Sequence, residues 1–337
     1  MSVDIPNYRM IEKLGIGAQS SIFRTRDMRT GRDYAVKVIK ITKPEDTSFV
    51  DLLRSEYAIG SAIDHSCVRK VYELRMMRQR LRVRGALLFM EYVDGLSMSA
   101  KEFQRPMAEI LRLFAEAAAG LHAMHLAGFV HADVKPNNIM VTGEGGVKLI
   151  DLGQSAKIRE AKPRIQGTID YMAPEQVQRG VLDQRTDVFG LGATLHKVLT
   201  GKPIATEMNQ TASVNSPSLI GRRIDEMRQE VMHELPTCVA RLIDDCCKAS
   251  PADRIADMPA LAERFSLAQT ILNKQLASAA PLGTGAVTGH LYEPEHDDDA
   301  HADDHRADRL LDAIEEELGL KNSDDGSVDF SDLDPDK

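Results

Sequence analysis

The chain has no Trp, only 5% aromatic residues, and four cysteines in 337 positions. With so few rings, aliphatic side chains and 15 Met have to fill any core. A hydrophobic share of 43% is enough for one, and the length leaves room for one large domain or two smaller ones. No apolar run reaches the roughly 20 residues a membrane helix needs. Met1 to Lys13 also lacks an apolar core of signal-peptide length, so an unanchored cytoplasmic protein is expected. Cys67, Cys238, Cys246 and Cys247 show no C-x-x-C spacing, and no His stands close to the adjacent pair. That excludes an evident zinc site and leaves buried thiols in a reducing compartment.

Positive charge is scarce in one region. Glu293 to Lys337 holds 18 acidic residues against 4 basic ones, a net of −14, which leaves +5 for residues 1–292 out of the total of −9. Segment 277–292, rich in Ala, Gly and Thr, reads as a linker. The acidic tail 293–337 reads as disordered, with a short helix expected over 308–318, where Leu310, Leu311, Ile314 and Leu318 share a face before Gly319.

The first ninety residues read as strands around one helix. Tyr8–Leu14, Ser21–Arg26 and Tyr34–Ile41 have strand character, and so do Val71–Met77 and Gly85–Tyr92. Phe49–Ile63 has helical spacing and contains Glu56. Beyond Gly95 the pattern turns helical, with Met107–Leu126 the clearest case, Val147–Ile150 a short apolar strand, and helices dominant from Pro174 to about Leu276. A β-rich part followed by an α-rich part places the fold in the α+β class.

Several motifs carry chemistry, and their order matters more than any one of them. Gly15-Ile16-Gly17-Ala18-Gln19-Ser20 lies between two strands, where glycines let backbone approach phosphate oxygens. Alone it would read as an ordinary turn, and the strand after it argues against a dinucleotide fold. Lys37 sits mid-strand among apolar neighbours, with Glu56 nineteen residues on as its natural partner. His131-Ala132-Asp133-Val134-Lys135-Pro136-Asn137-Asn138 is far more specific. There Asp133 can accept a hydroxyl proton, Lys135 can face a transferred phosphate, and Asn138 can ligate metal. Asp151-Leu152-Gly153 follows an apolar strand and offers a carboxylate suited to Mg2+ between phosphates.

Together these segments resemble the eukaryotic-type (Hanks-type) serine/threonine protein kinase family over about residues 8–276, with the look of a bacterial member. The likeness extends to Ala173-Pro174-Glu175, to Asp187 on a helix, and to Arg254, which it pairs with Glu175. It implies a two-lobed fold, with a β-rich N-lobe of about 8–92 and a mainly helical C-lobe of about 95–276. It also implies ATP and Mg2+ as cofactors, with Mn2+ as a substitute metal. By this likeness Lys37, Glu56, Asp133 and Lys135 are catalytic, while Asn138 and Asp151 hold metal. The glycine segment, Ile22, Ala35, the gatekeeper Met90, the hinge from Glu91 to Val93, and Met140 line the nucleotide. Lys135 and Thr168 are what serine/threonine members carry, and Gly167–Glu175 matches the segment that docks a peptide, so the expected substrates are protein Ser and Thr hydroxyls. The competing reading is a pseudokinase scaffold, whose signature would be loss of Lys37, Asp133, Asn138 or Asp151; all four are present.

Departures from the family pattern carry their own expectations. Ala132 replaces the arginine of H-R-D, and Arg164 stands where many members carry a phosphosite, so ordering of this segment is not expected to need a phospho-arginine pair. Gly60, four after Glu56, replaces a bulky apolar side chain that would pack toward Leu152, so a loosely held helix 49–63 and a conditional Lys37–Glu56 pair are expected. Arg78, Arg80, Arg82 and Arg84 recur with period two within segment 69–84, which holds seven basic residues and one Glu. In a hairpin these four are expected on one face, either simply solvated or docking the acidic tail. Nucleic acid fits poorly, since no aromatics interleave with the charges.

Overall fold

A computed structural model of the protein describes residues 5–17, 20–43, 47–80, 82–206 and 233–279. The acidic tail, the helix expected over 308–318 and most of the expected linker lie outside the described residues.

Five antiparallel strands form the first lobe: β1 (Tyr8–Ile16), β2 (Ser20–Asp27), β3 (Asp33–Lys40), β4 (Val71–Gln79) and β5 (Arg82–Glu91). Their spatial order is β1-β2-β3-β5-β4, so the two strands richest in buried residues are central. One helix, α1 (Thr47–Ser61), crosses one face of the sheet. Side chains alternate between faces along a strand, and β3 uses both. Ala35 and Ile39 pack with Val50 and Leu53 of α1 and with Leu88 and Met90 of β5. Val36 and Val38 pack on the opposite face with Leu87, Phe89 and Ile5. Lys37 falls between Ala35 and Ile39, so the period of two alone aims it at the face that carries α1.

The second lobe is helical. It contains α2 (Met107–Leu126), the short α3 (Pro174–Val177), α4 (Gln184–Thr200), α5 (Thr237–Cys246) and α6 (Met258–Ala279). The last helix carries helical structure three residues into the segment read as linker from 277. Short strands β6 (Gly95–Ser97), β8 (Ile139–Thr142) and β9 (Val147–Leu149) form one small sheet, and β7 (Phe129–Val130) pairs with β10 (Ala156–Lys157). A single apolar core joins α2, α4, α5 and α6, with Phe114 and Phe265 edge to face at 5.8 Å. α4 is buried almost all round, and its buried polar residues, such as Asp187 and Thr194, find hydrogen-bond partners inside. Asp183 caps its start by accepting from the Arg185 amide at 2.8 Å. Cys246 and Cys247 are buried against this helix, and burial pushes the Cys246 thiol well above its ordinary pKa, as inert core cysteines require. No described helix is long and apolar enough to cross a membrane.

Two expectations fail here. Gly60 does not loosen α1. A Cβ at Gly60 would lie 2.3 Å from Val71 Cγ2 and 3.3 Å from Leu152 Cδ1, so the missing side chain is replaced by close approach of the helix to β4 and to the Asp-Leu-Gly turn. Nor do the four arginines share a face. Gln79 pairs with Arg82 across the turn at 80–81, and Arg78 pairs with Val83. Directly paired residues share a face, so Arg78, opposite Val83, and Arg82, opposite Gln79, point to opposite faces while Arg80, at φ 56°, follows β4. All four remain exposed, and together they form a basic tip.

Close packing at Gly60 makes the gain from a better helix former too small to matter. Alanine favours a helix by about 1 kcal/mol over glycine, whereas overpacking typically costs about 1–3 kcal/mol. Gly60→Ala is expected to lower the thermal unfolding midpoint, and adding Val71→Ala to recover part of the loss. A midpoint raised by Gly60→Ala alone would show that α1 is loosely packed after all.

Candidate active site

Lys37 reaches from β3 to two carboxylates. Its Nζ lies 2.7 Å from Glu56 Oε2 on α1 and 3.2 Å from Asp151 Oδ1, which follows β9 in the other lobe. Glu56 is 2% exposed, whereas the Asp151 side chain is 39% exposed. Burial opposes the lysine charge, but Asp151 and Glu56 outweigh it and raise the Lys37 pKa above its ordinary value. Lys37 in turn holds Asp151 well below the usual carboxylate range, against burial and with help from the buried Arg69. One ion network therefore spans strand, helix and both lobes, and the Lys37–Glu56 pair expected to be conditional is formed.

The loop 131–138 is fixed from beneath by Asp187. This carboxylate, 1% exposed on α4, accepts the backbone N–H groups of His131 and Ala132, each at 2.8 Å, and His125 Nε2 at 2.7 Å. Burial alone would raise its pKa, but the hydrogen bonds from His125 and the Ala132 amide keep it below the ordinary value. Ala132 itself sits at φ 59°, a left-handed conformation that costs a non-glycine residue about 1 kcal/mol or more. The Asp187 bonds hold it there and set the direction of the next residue.

That residue is Asp133. Its Oδ1 accepts both the amide and the hydroxyl of Thr168, each at 3.1 Å. Its Oδ2 accepts Asn138 Nδ2 at 3.1 Å and lies 3.2 Å from Lys135 Nζ. Lys135 also donates to Thr168 Oγ1 at 2.7 Å. Three residues, two from the same loop and Thr168 from thirty-five positions on, thus converge on one carboxylate. Asn138 and Asp151 carry side-chain oxygens on neighbouring stretches of backbone, where the Ile150 amide donates to the Asn138 carbonyl at 2.9 Å. A magnesium ion takes one or two protein oxygens and fills its octahedron with phosphate and water, so this donor set fits it.

The residues read as lining a nucleotide stand around the same cleft. Gly15, Ile16 and Gly17 end β1 and its turn, which closes with the Gly17 amide donating to the Ser20 carbonyl at 2.9 Å. Ala18 and Gln19 lie outside the described residues. Ile22 pairs with Lys37 and Ala35 with Met90 across the sheet. Ala35, Met90 and Val93 are buried, and Met140 sits half-buried on β8 opposite Ser97. Glu91 does something the sequence did not signal. Its side chain accepts Lys148 Nζ at 2.8 Å and the Lys70 amide at 3.1 Å, tying the hinge to β9 and to the strand-entry loop.

Below the cleft Arg254 donates to both Glu175 oxygens at 2.7 and 2.8 Å. It also donates to the carbonyls of Lys248, Arg185 and Ala249 and stacks 5.0 Å from the Phe189 ring. Thr186 Oγ1 completes the pair with a 3.0 Å bond to Glu175. Gln176 was not singled out in the sequence, yet its Nε2 donates to the Ala132 carbonyl at 2.9 Å, anchoring the start of α3 to the loop of Asp133.

An antiparallel five-stranded lobe, a helical lobe and a Lys–Glu–Asp network between them define a two-lobed protein-kinase fold. The chain belongs to the protein kinase domain family, whose model matches residues 8–266. Among similar proteins, serine/threonine-protein kinase PknB of Mycobacterium tuberculosis is 34% identical over 207 residues, covering 58% of this chain and 33% of that protein. PknB of Mycolicibacterium smegmatis is 33% identical over a stretch of the same length. PknL of Mycobacterium bovis is 28% identical over 285 residues, or 81% of this chain and 69% of that protein. The chain thus aligns with about a third of the length of the PknB relatives. A kinase-type function in general follows from this membership.

Arg254 offers a clean test of how the lower site is held, because its side chain is fully buried. Arg254→Met leaves Glu175 buried without its charge partner, and breaking one side of such a pair typically costs about 3–5 kcal/mol. Urea unfolding should register that loss, and the double variant Glu175→Met/Arg254→Met should be the more stable of the two. Stability unchanged in Arg254→Met would show that the pair holds nothing.

Proposed function

We propose that the chain is an active serine/threonine protein kinase, which transfers the γ-phosphate of ATP to Ser and Thr hydroxyls of proteins. The observation that carries this reading is the convergence of Thr168, Lys135 and Asn138 on the Asp133 carboxylate while Lys37 joins Glu56 and Asp151. ATP with Mg2+ supplies the activated phosphoryl group and the cation that offsets its charge. Lys37, pre-oriented by Glu56, meets the phosphates behind the transferred group. Asp151 and Asn138 would hold the metal, and the backbone from Met90 to Val93 would meet adenine. Asp133 orients the acceptor hydroxyl and takes its proton as the oxygen–phosphorus bond forms and the bond to ADP breaks. Lys135 offsets charge on the phosphoryl oxygens at that moment. Thr168, now on Asp133, marks where an acceptor hydroxyl would lie, and an incoming substrate displaces that contact.

Asp133→Asn is expected to reduce phosphate transfer by about a thousandfold while leaving ATP affinity nearly unchanged, since the change touches the hydroxyl and not the nucleotide. Asp151→Asn is expected to weaken binding of the metal–nucleotide complex itself. Transfer to a peptide and a thermal shift with ATP and Mg2+ separate the two effects. Transfer by Asp133→Asn at the wild-type rate would point to a kinase-shaped scaffold instead.

The basic tip at Arg78, Arg80, Arg82 and Arg84 supports a second element of this reading, an intramolecular partner in the acidic tail. With the turn splitting the stripe, positive charge is presented on both faces of the hairpin and at its end. A tethered segment reaches a local concentration of about millimolar for short linkers, which populates even weak contacts. Charges exposed to water are screened over about 10 Å at 0.1 M salt. Deleting 293–337 should therefore change activity at low salt and change it much less at high salt. Equal rates for full-length and truncated enzyme at low ionic strength would remove the tail from regulation.

A further inference from the structure

The segment from Asp151 to Glu175 lacks the means by which a phosphate would order it. Only Ser155 and Thr168 carry hydroxyls between Asp151 and Thr168, and both are engaged. Ser155 Oγ donates to the His131 carbonyl at 3.5 Å, and Thr168 Oγ1 bridges Asp133 and Lys135. A phosphate on either would displace a contact the segment already makes. The one lysine of the catalytic loop, Lys135, is already held by Asp133 and Thr168, and Ala132 stands where an arginine would project.

A cation arrives from the other side. Lys162 folds back across its own segment and donates to the Gln154 carbonyl, closing the loop between them. The rest of the loop is pinned outward, with the Arg159 amide on the Leu182 carbonyl at 2.8 Å and Ala161 bridged to Val181. Asp133 of the catalytic loop and Asp187 of α4 favour the charge on the Lys162 amine at longer range, while burial opposes it.

We propose that Lys162 is a positioning residue for the proposed kinase reaction, an amine donor that closes the segment on itself where Ala132 leaves no arginine to order it. It rests on the kinase reading above. Lys162 touches no reacting atom. It acts by holding 154–162 folded so that Ser155, Gln176 and Thr168 stay on the loop that carries Asp133.

The energetics give this device a signature. Burial pushes the Lys162 amine down to about 8, with Asp133 and Asp187 pulling the other way. An amine released to water returns to its ordinary value of 10.5. The docked state therefore binds its proton less tightly than the released state. Docking tightens as pH rises from about 8 toward 10.5, by at most about tenfold per pH unit, and is flat below that window. An arginine at the same place keeps the charge and the donor but does not titrate.

The test compares full-length wild type, Lys162→Met and Lys162→Arg by steady-state kinetics with a peptide acceptor and by amide hydrogen exchange over 154–166, corrected for intrinsic rate, between pH 7 and 9. Lys162→Met is expected to lose about tenfold in kcat with the KM for ATP within about twofold, and to exchange about tenfold faster in this segment alone. Lys162→Arg is expected to keep most of kcat and to lose the rise in protection that wild type shows above pH 8. Wild-type kcat and protection in Lys162→Met would overturn the assignment. So would a loss in that variant spread over the whole domain or confined to the KM for ATP. If wild type itself transfers no phosphate, the kinase reading falls, and the exchange comparison alone still decides the role of Lys162.

Discussion

The site depends first on one buried carboxylate. Asp187 rises from a helix enclosed on nearly every side and accepts two successive backbone N–H groups of the catalytic loop. An unpaired carboxylate at that depth would be costly, and so would two unpaired amides. Satisfying both at once leaves the loop a single arrangement. Ala132 is held left-handed, and Asp133 is turned toward Thr168, Lys135 and Asn138 as a consequence. The direction of the Asp133 carboxylate is thus set from beneath by a residue on another element.

The second constraint joins the lobes. Lys37 belongs to a strand, Glu56 to a helix and Asp151 to the turn after β9, so their meeting requires all three elements to be in place. Gly60 makes this possible by letting α1 settle against Val71 and Leu152 without a side chain between them. Glu91 adds a tie at the hinge through Lys148 of the other lobe. Movement of the lobes would have to work against these contacts together.

Much of the fold was legible because strand and helix periods are local properties. The run Tyr34-Ala35-Val36-Lys37 showed a strand with one charge among apolar neighbours, and that charge found Glu56, its expected partner. The pairing of Glu175 with Arg254, seventy-nine residues apart, was legible only through resemblance to a family, since no local pattern links them. Two local inferences failed for one reason. Gly60 was read as a gap because the sequence does not show what lies opposite a missing side chain. The arginine stripe was read as one face because the place where a strand turns decides the parity of everything after it.

By itself the sequence determined the class of fold, the order of the chemical groups along the chain and the separation of a mildly basic domain from an acidic tail. Those follow from periodicity, composition and motif order, which need no knowledge of contacts. Tertiary structure alone decided that Lys162 returns to Gln154, that Gln176 anchors on Ala132, and that Glu91 faces Lys148 rather than solvent. None of these residues stands in a telling pattern. Their partners are carbonyls and charges brought near only once the chain has folded, and a hydrogen bond depends on ångström-scale position, which spacing along a sequence does not encode.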